Sequence, residues 1–125
     1  MGISSFFENR LRKKIKKIAT KSARIMLWTA KMNQHSRLEP YEFARLAIQG
    51  RSDYYLDHNN YLICFGRNTG FQISEGVNIA DVIEFVVMYE LKDDSVLLNY
   101  PVDHQEYINY AGSVAREYVS RKVVL

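Results

Sequence analysis

From Phe7 to Met32 the chain contains neither glycine nor proline, and its apolar residues keep a helical beat. Phe7, Leu11, Ile15, Ile18, Ile25 and Met32 recur in steps of three, four and seven, with Ser22 and Thr29 filling the two gaps. At about 100° per residue these positions share one side of an α-helix, while Arg12, Lys13, Lys16, Lys17, Arg24 and Lys31 spread over the other. Such a helix needs something to cover its stripe: the rest of the chain, a second copy, another protein or lipid. Every reading of the remainder has to provide that cover.

The same helix concentrates the charge. Between Arg10 and Ile25, the stretch RLRKKIKKIATKSARI holds eight basic residues and no acid. Up to Pro40 ten Lys or Arg stand against two acids, a net of +8, and from Tyr41 onward seven stand against twelve, a net of −5. The overall +3 hides this asymmetry. An anionic partner for the N-terminal segment follows from simple electrostatics, and the candidates are a nucleic-acid backbone, an anionic membrane surface and the chain's own acidic remainder. The residues expected to meet that partner are Arg12, Lys13, Lys16, Lys17, Lys21 and Arg24. Those expected to seat the helix on protein or lipid are Leu11, Ile15, Ile18 and Ile25.

Length and composition allow one folded body. At 125 residues, with 47% apolar and 25% charged residues, the chain can bury one core. The expected organisation is a basic amphipathic arm over 1–37 and a small α+β domain over 38–125. A single cysteine, Cys64, excludes an internal disulfide, and no Cys or His cluster has zinc-site spacing, so no metal or cofactor is expected. The most apolar stretch, Val82 to Tyr89, contains Glu84 and is far shorter than the roughly 20 residues a membrane-spanning helix needs. The expectation is a cytoplasmic protein, soluble or peripheral to a membrane. Phe6 stands where a myristoylation motif wants Ser or Thr. Ile3 to Arg37 partly resembles a transit peptide in being basic and acid-poor, although Lys outnumbers Arg there.

After a break at Asn33 to Leu38, EPYEFARLAIQG reads as a second helix, with Pro40 at its first turn, Gly50 at its stop, and Phe43, Leu46 and Ala47 on its buried side. DYYLDHNNYLICFG reads as a hairpin looped at Asp57 to Asn60, with GFQIS a further strand after a loop from Gly66 to Gly70. In IEFVVMYEL, alternation places Ile83, Phe85, Val87, Tyr89 and Leu91 on one face, which predicts a strand paired with SVLLNY across Lys92 to Asp94. Ile79, Val82, Ile83 and Val86 also fit a helix. Asp103 and Glu106 stand in capping-box relation before a last helix that buries Tyr107, Ala111, Val114 and Tyr118. The predicted fold is α+β: a mainly antiparallel sheet flanked by N-terminal and C-terminal helices, the first of them long, basic and amphipathic.

Catalytic groups occur only as scattered singles. Asp57-His58 and Asp103-His104 are sequence neighbours whose side chains need not meet. Cys64 lies inside an apolar run and reads as a small core residue, and the GRNTG stretch with Arg67 lacks the Lys-Ser/Thr ending of a phosphate loop. The expected function is therefore non-enzymatic interaction or assembly through the basic helix, with a protein partner or a homo-oligomer beside the anionic one. A small enzyme built on His58, His104 or Arg67 requires those side chains to converge in one pocket. Fold-level analogy with small α+β dimers adds a secretion-chaperone-like subunit as a further class.

Overall fold

The computed structural model describes residues 2–33 and 39–122, the side chains of 2–5, 95 and 96 excepted. Its elements are α1 (Gly2–Met32), α2 (Pro40–Ile48), β1 (Tyr54–Leu56), β2 (Tyr61–Cys64), β3 (Arg67–Gln72), α3 (Ile79–Leu91), a single turn α4 (Ser95–Leu98) and α5 (His104–Lys122). The fold is α+β, with a three-stranded antiparallel sheet in the order β1-β2-β3 and the N-terminal and C-terminal helices flanking it. The expected break at Asn33 to Leu38, the boundary at 37/38, and the side chains of Ile3 and Val96 fall, apart from Asn33, outside the described residues.

Two predicted strands are helical instead. IEFVVMYEL belongs to α3, and SVLL forms the turn α4. The start of α3 is set by a reciprocal capping box, in which the Asp81 amide donates to Asn78 Oδ1 at 3.0 Å and the Asn78 amide donates to Asp81 Oδ2 at 3.0 Å. Ile79, Val82, Ile83, Val86 and Leu91 then follow the 3.6-residue period into the core. The alternation misleads because α3 packs against α1, α2 and α5 and also against the sheet. A helix covered on several sides is apolar nearly all round and fits a two-residue period as well. At α4 the amides of Leu97 and Leu98 both donate to the Asp94 carbonyl, so the Lys92-Asp93-Asp94 segment opens a helical turn rather than a hairpin.

The hairpin at Asp57 to Asn60 is present, closed by Asp57 Oδ1 accepting from the amides of Asn59 and Tyr61. The predicted Gly66 to Gly70 loop is mostly strand. Cys64 pairs with Arg67, which leaves Phe65 and Gly66 as a two-residue turn with φ of 49° and 77°. Positive φ at both central positions is the type I′ geometry that matches strand twist, and Phe65 adopts it at a cost of about 1–2 kcal/mol that glycine avoids.

The core is common to all these elements. Phe71 stacks on Phe85 at 4.4 Å, Phe85 on Tyr89 at 5.7 Å, and Tyr54 meets Tyr89 edge-on, an aromatic run that seats the sheet on α3. Arg116 reaches Asp81 and Glu84 while Gly112 abuts Met88, so α3 and α5 run in opposite directions. A Cβ at Gly112 would lie 2.6 Å from Met88 Sδ, which is why the two helices approach so closely there. Arg12 contacts Glu106 and Lys31 contacts the Lys122 carbonyl, so α1 and α5 run side by side in the same direction. Asp103 Oδ1 caps α5 by accepting from the Glu106 amide at 3.3 Å, as its position suggests. On α5, Tyr107 and Ala111 are buried as predicted, with Val114 and Tyr118 half-buried. On α2, Ala47 is buried, Phe43 and Leu46 are half-buried, and Ala44 and Ile48 complete the inner side.

Candidate docking surface and a charged cleft

α1 is divided lengthwise. Its buried line is Leu11, Ile15, Ala19, Ala23, Met26 and Ala30, flanked by Ser22 and Leu27. Leu11 and Ile15, expected to seat the helix on protein or lipid, are 1% and 0% exposed. Ile18 and Ile25 lie half-buried on the margin, and Phe7 and Met32 are exposed. The missed positions are mainly alanines. Their small side chains read as neutral in a hydrophobic pattern, yet they allow α1 to lie close against α2, α3 and α5. Close approach at the far end is also visible where a Cβ at Gly50 would come within 2.7 Å of Thr29 Oγ1.

The opposite side of α1 is a basic strip. Lys13, Lys16, Lys17, Lys21 and Arg24 are exposed, as are Arg10 and Lys14, and among the described residues none of them forms an ion pair. Lys16 lies toward α5, where it helps hold the Glu117 carboxyl below the usual range, behind the larger effect of the Arg121 hydrogen bond. Arg12 is different from the rest. It pairs with Glu106 at 3.2 Å and lies over the rings of Tyr107 and Tyr110, at 5.7 and 5.2 Å, so its charge is used inside the fold as a latch between α1 and α5.

Four large apolar side chains of α1 are exposed: Phe6 at 59% and Trp28 at 62% on the outward strip, and Phe7 at 51% and Met32 at 61% toward its margin. By the 3.6-residue period, Phe6, Arg10, Lys13, Lys17, Lys21, Arg24 and Trp28 fall within a sector of about 80°. The two aromatic ends stand about 33 Å apart along the helix axis, with the cations between them. Exposed apolar residues are common singly, but their clustering at both ends of a polybasic face is not explained by packing.

A second feature lies where the sheet meets α3. Where the β2–β3 turn meets the C-terminal end of α3, a cleft of about 520 Å³ is lined by Arg67 and Cys64 among others. Its floor carries an ion pair between Arg51 and Glu90, 2.5 Å apart. Burial raises the Glu90 carboxyl above its ordinary range, against the opposing pull of Arg51. Cys64 is buried, as expected, and its side chain edges this cleft. Neither His58 nor His104 lines it. His58 lies exposed in the hairpin loop at the far end of the sheet, beside Asn59, and His104 contacts the Tyr100 carbonyl at the start of α5. His58, His104 and Arg67 therefore do not converge.

No protein-family model, curated protein or solved structure matches this chain at a significant level. Function has to be argued from the two surfaces themselves. Among the described residues no group of three His, Cys, Asp or Glu side chains could hold a metal ion, and no helix is long and apolar enough to cross a membrane.

Proposed function

We propose that this is a non-catalytic docking protein whose helix α1 lies along an anionic phospholipid surface. The observation that carries the reading is the outward face: cations in the middle, Phe6 and Trp28 at the ends with Phe7 and Met32 exposed beside them, and Leu11 and Ile15 committed to the core on the other side. Insertion of Leu11 and Ile15 into lipid is thereby unavailable. Contact runs instead through Lys13, Lys17, Lys21 and Arg24 against phosphate headgroups, with aromatic pegs in the interfacial region where Trp and Phe partition favourably. Each cation near such a surface contributes about 1 kcal/mol.

Shape supports this reading over nucleic-acid binding, which the charge alone would serve equally well. α1 is a 31-residue rod, about 46 Å long. A bilayer is flat over that length and can meet the whole strip at once, whereas the phosphates of a duplex wind away from a straight rod packed on a protein body. Methionine and paired phenylalanines also have no evident use against a phosphate backbone.

Trp28 is the chain's single tryptophan, so its fluorescence reports on the proposed contact directly. Titration with anionic vesicles should shift its emission to the blue, and neutral vesicles should leave it unchanged. Lys13→Gln, Lys17→Gln and Arg24→Gln together remove about 3 kcal/mol, weakening vesicle binding more than a hundredfold. Absence of vesicle binding, combined with binding to duplex or single-stranded nucleic acid on a steep salt slope, would replace lipid by nucleic acid as the partner.

A further inference from the structure

The cations on the outer strip of α1 are not evenly spread. Arg10, Lys13, Lys14 and Lys17 stand at i, i+3, i+4 and i+7, the corners of a diamond on a helix surface, where adjacent corners lie about 5–6 Å apart at Cβ. Its long diagonal covers about 10 Å of the helix axis. All four side chains are exposed, and among the described residues none of them forms an ion pair. The next diamond along the helix, Lys17, Thr20, Lys21 and Arg24, has a neutral, half-buried corner. Positive charge is therefore densest in the N-terminal half of the strip.

No acid of the same helix relieves this crowding. Glu8 is the single acidic residue of α1, and by the helical period it falls on the side opposite the middle of the diamond. Burial raises the Tyr107 pKa and Glu8 adds to the effect, which places Glu8 toward α5. Four like charges on a helix packed into the core cannot move apart by bending it, so their repulsion is relieved only by an anion from outside. Singly charged lipids answer such a cluster by gathering four at once, each giving up freedom to diffuse. A headgroup with several negative charges answers it as one ligand, its later contacts being intramolecular.

A second observation sets the depth at which the diamond meets a bilayer. The Arg10 guanidinium lies over the Phe6 ring, 5.5 Å from its centre, and Phe7 is exposed beside it. Phenylalanine seated in the interfacial region brings Arg10 and its neighbours level with the headgroup phosphates.

We propose that Arg10, Lys13, Lys14 and Lys17 bind the headgroup of a phosphoinositide, a membrane lipid carrying two or more phosphate monoesters, and so select it over singly charged lipids. Each monoester brings a charge of about −1.5 to −2 and three acceptor oxygens, so two of them match the four cations. Arg10 can take one phosphate through two parallel hydrogen bonds, while the three lysines act as point charges around it. The assignment rests on α1 docking to lipid and adds which lipid it prefers.

Two vesicle series of equal surface charge test it, one carrying phosphatidylserine and the other phosphatidylinositol bisphosphate at about a quarter of that mole fraction. Binding of the full chain, followed by co-sedimentation and by Trp28 emission, should be about tenfold tighter or more to the bisphosphate series. Arg10→Gln combined with Lys14→Gln should abolish that preference. Lys21→Gln combined with Arg24→Gln should weaken binding to both series and keep it. All four side chains are exposed, so both variants should retain the circular dichroism of the wild type. Equal binding to the two series, or a preference that survives Arg10→Gln with Lys14→Gln, would overturn the assignment and leave lipid docking in place. No binding to either series would overturn lipid docking itself, and the assignment with it.

Discussion

The seam between α3 and α5 and the outer face of α1 treat positive charge in opposite ways. At the seam, Arg116 is held by two carboxylates, with Nη2 at 2.6 Å from Asp81 and Nε at 2.5 Å from Glu84, and both hydrogen bonds raise its already high pKa. Arg121 pairs with Glu117 one turn away, and Arg12 on the inner flank of α1 pairs with Glu106. On the outer face of α1 the cations have no such carboxylates among the described residues. Lys13, Lys17 and Lys21 instead follow one another at four-residue spacing, where like charges repel by a few tenths of a kcal/mol per pair. A cation that serves this fold comes with its acid. The outer strip of α1 comes without, and the packing on its other side offsets the repulsion.

That contrast can be broken at its strongest point first. If the inner line of α1 carries the helix, Ile15→Ala should destabilise the protein by about 2–5 kcal/mol, read as a lower denaturation midpoint at unchanged m-value. Ile15 is fully buried, and alanine is at least as good a helix former, so the loss measures packing alone. A change below about 1 kcal/mol would mean that α1 is not integral to the core.

The seam is sharpened by pH. Burial raises the Asp81 carboxyl, but the hydrogen bond from Arg116 and the amide of Asn78 outweigh it and hold it below the ordinary value of 3.8. Its contribution is therefore fully present above 3.8 and is lost as pH falls through the lower, folded value. Asp81→Asn should cost about 1 kcal/mol near neutral pH. The difference from wild type should shrink on acidification below that range, as followed by urea unfolding at a series of pH values. A gap that stays constant would remove the charge from the account and leave only the cap.

The smallest effect is the most diagnostic in sign. Lys17→Glu replaces two repulsive contacts, with Lys13 and Lys21, by attractive ones and should stabilise the fold by about 0.5 kcal/mol. The same substitution should weaken vesicle binding. Improved stability with impaired docking is the pattern expected of residues kept for a partner rather than for the fold. Loss of both together would assign Lys17 a structural role.

Much of the architecture was legible along the chain because its signals are local. The break-free helical period marked α1, Pro40 and Gly50 bracketed α2, Asp57 to Asn60 closed a hairpin, and Asp103 capped α5. The failures share one cause. α3 is rich in Val, Ile and Phe, which favour strands, and burial on several sides erased the one-sided pattern that identifies a helix. Its capping pair, Asn78 and Asp81, was the local signal that would have corrected the reading. The inner line of α1 was misplaced by part of a turn because Ala19, Ala23 and Ala30 carry little hydrophobic weight, although their size governs how closely helices approach.

The sequence by itself determined the positive charge of the N-terminal segment and the helical spacing of its apolar residues, since charge and period are properties of consecutive residues. Only the tertiary structure decided which cations are spent. Arg12 meets Glu106, distant by 94 positions, and is drawn into the fold, whereas Lys13, its neighbour, stays exposed. The cleft is wholly a tertiary object for the same reason. Tyr54, Arg67 and Asp93 come from β1, β3 and the segment after α3, and nothing along the chain relates them until the aromatic contacts of Phe71, Phe85 and Tyr89 bring the sheet onto the helix.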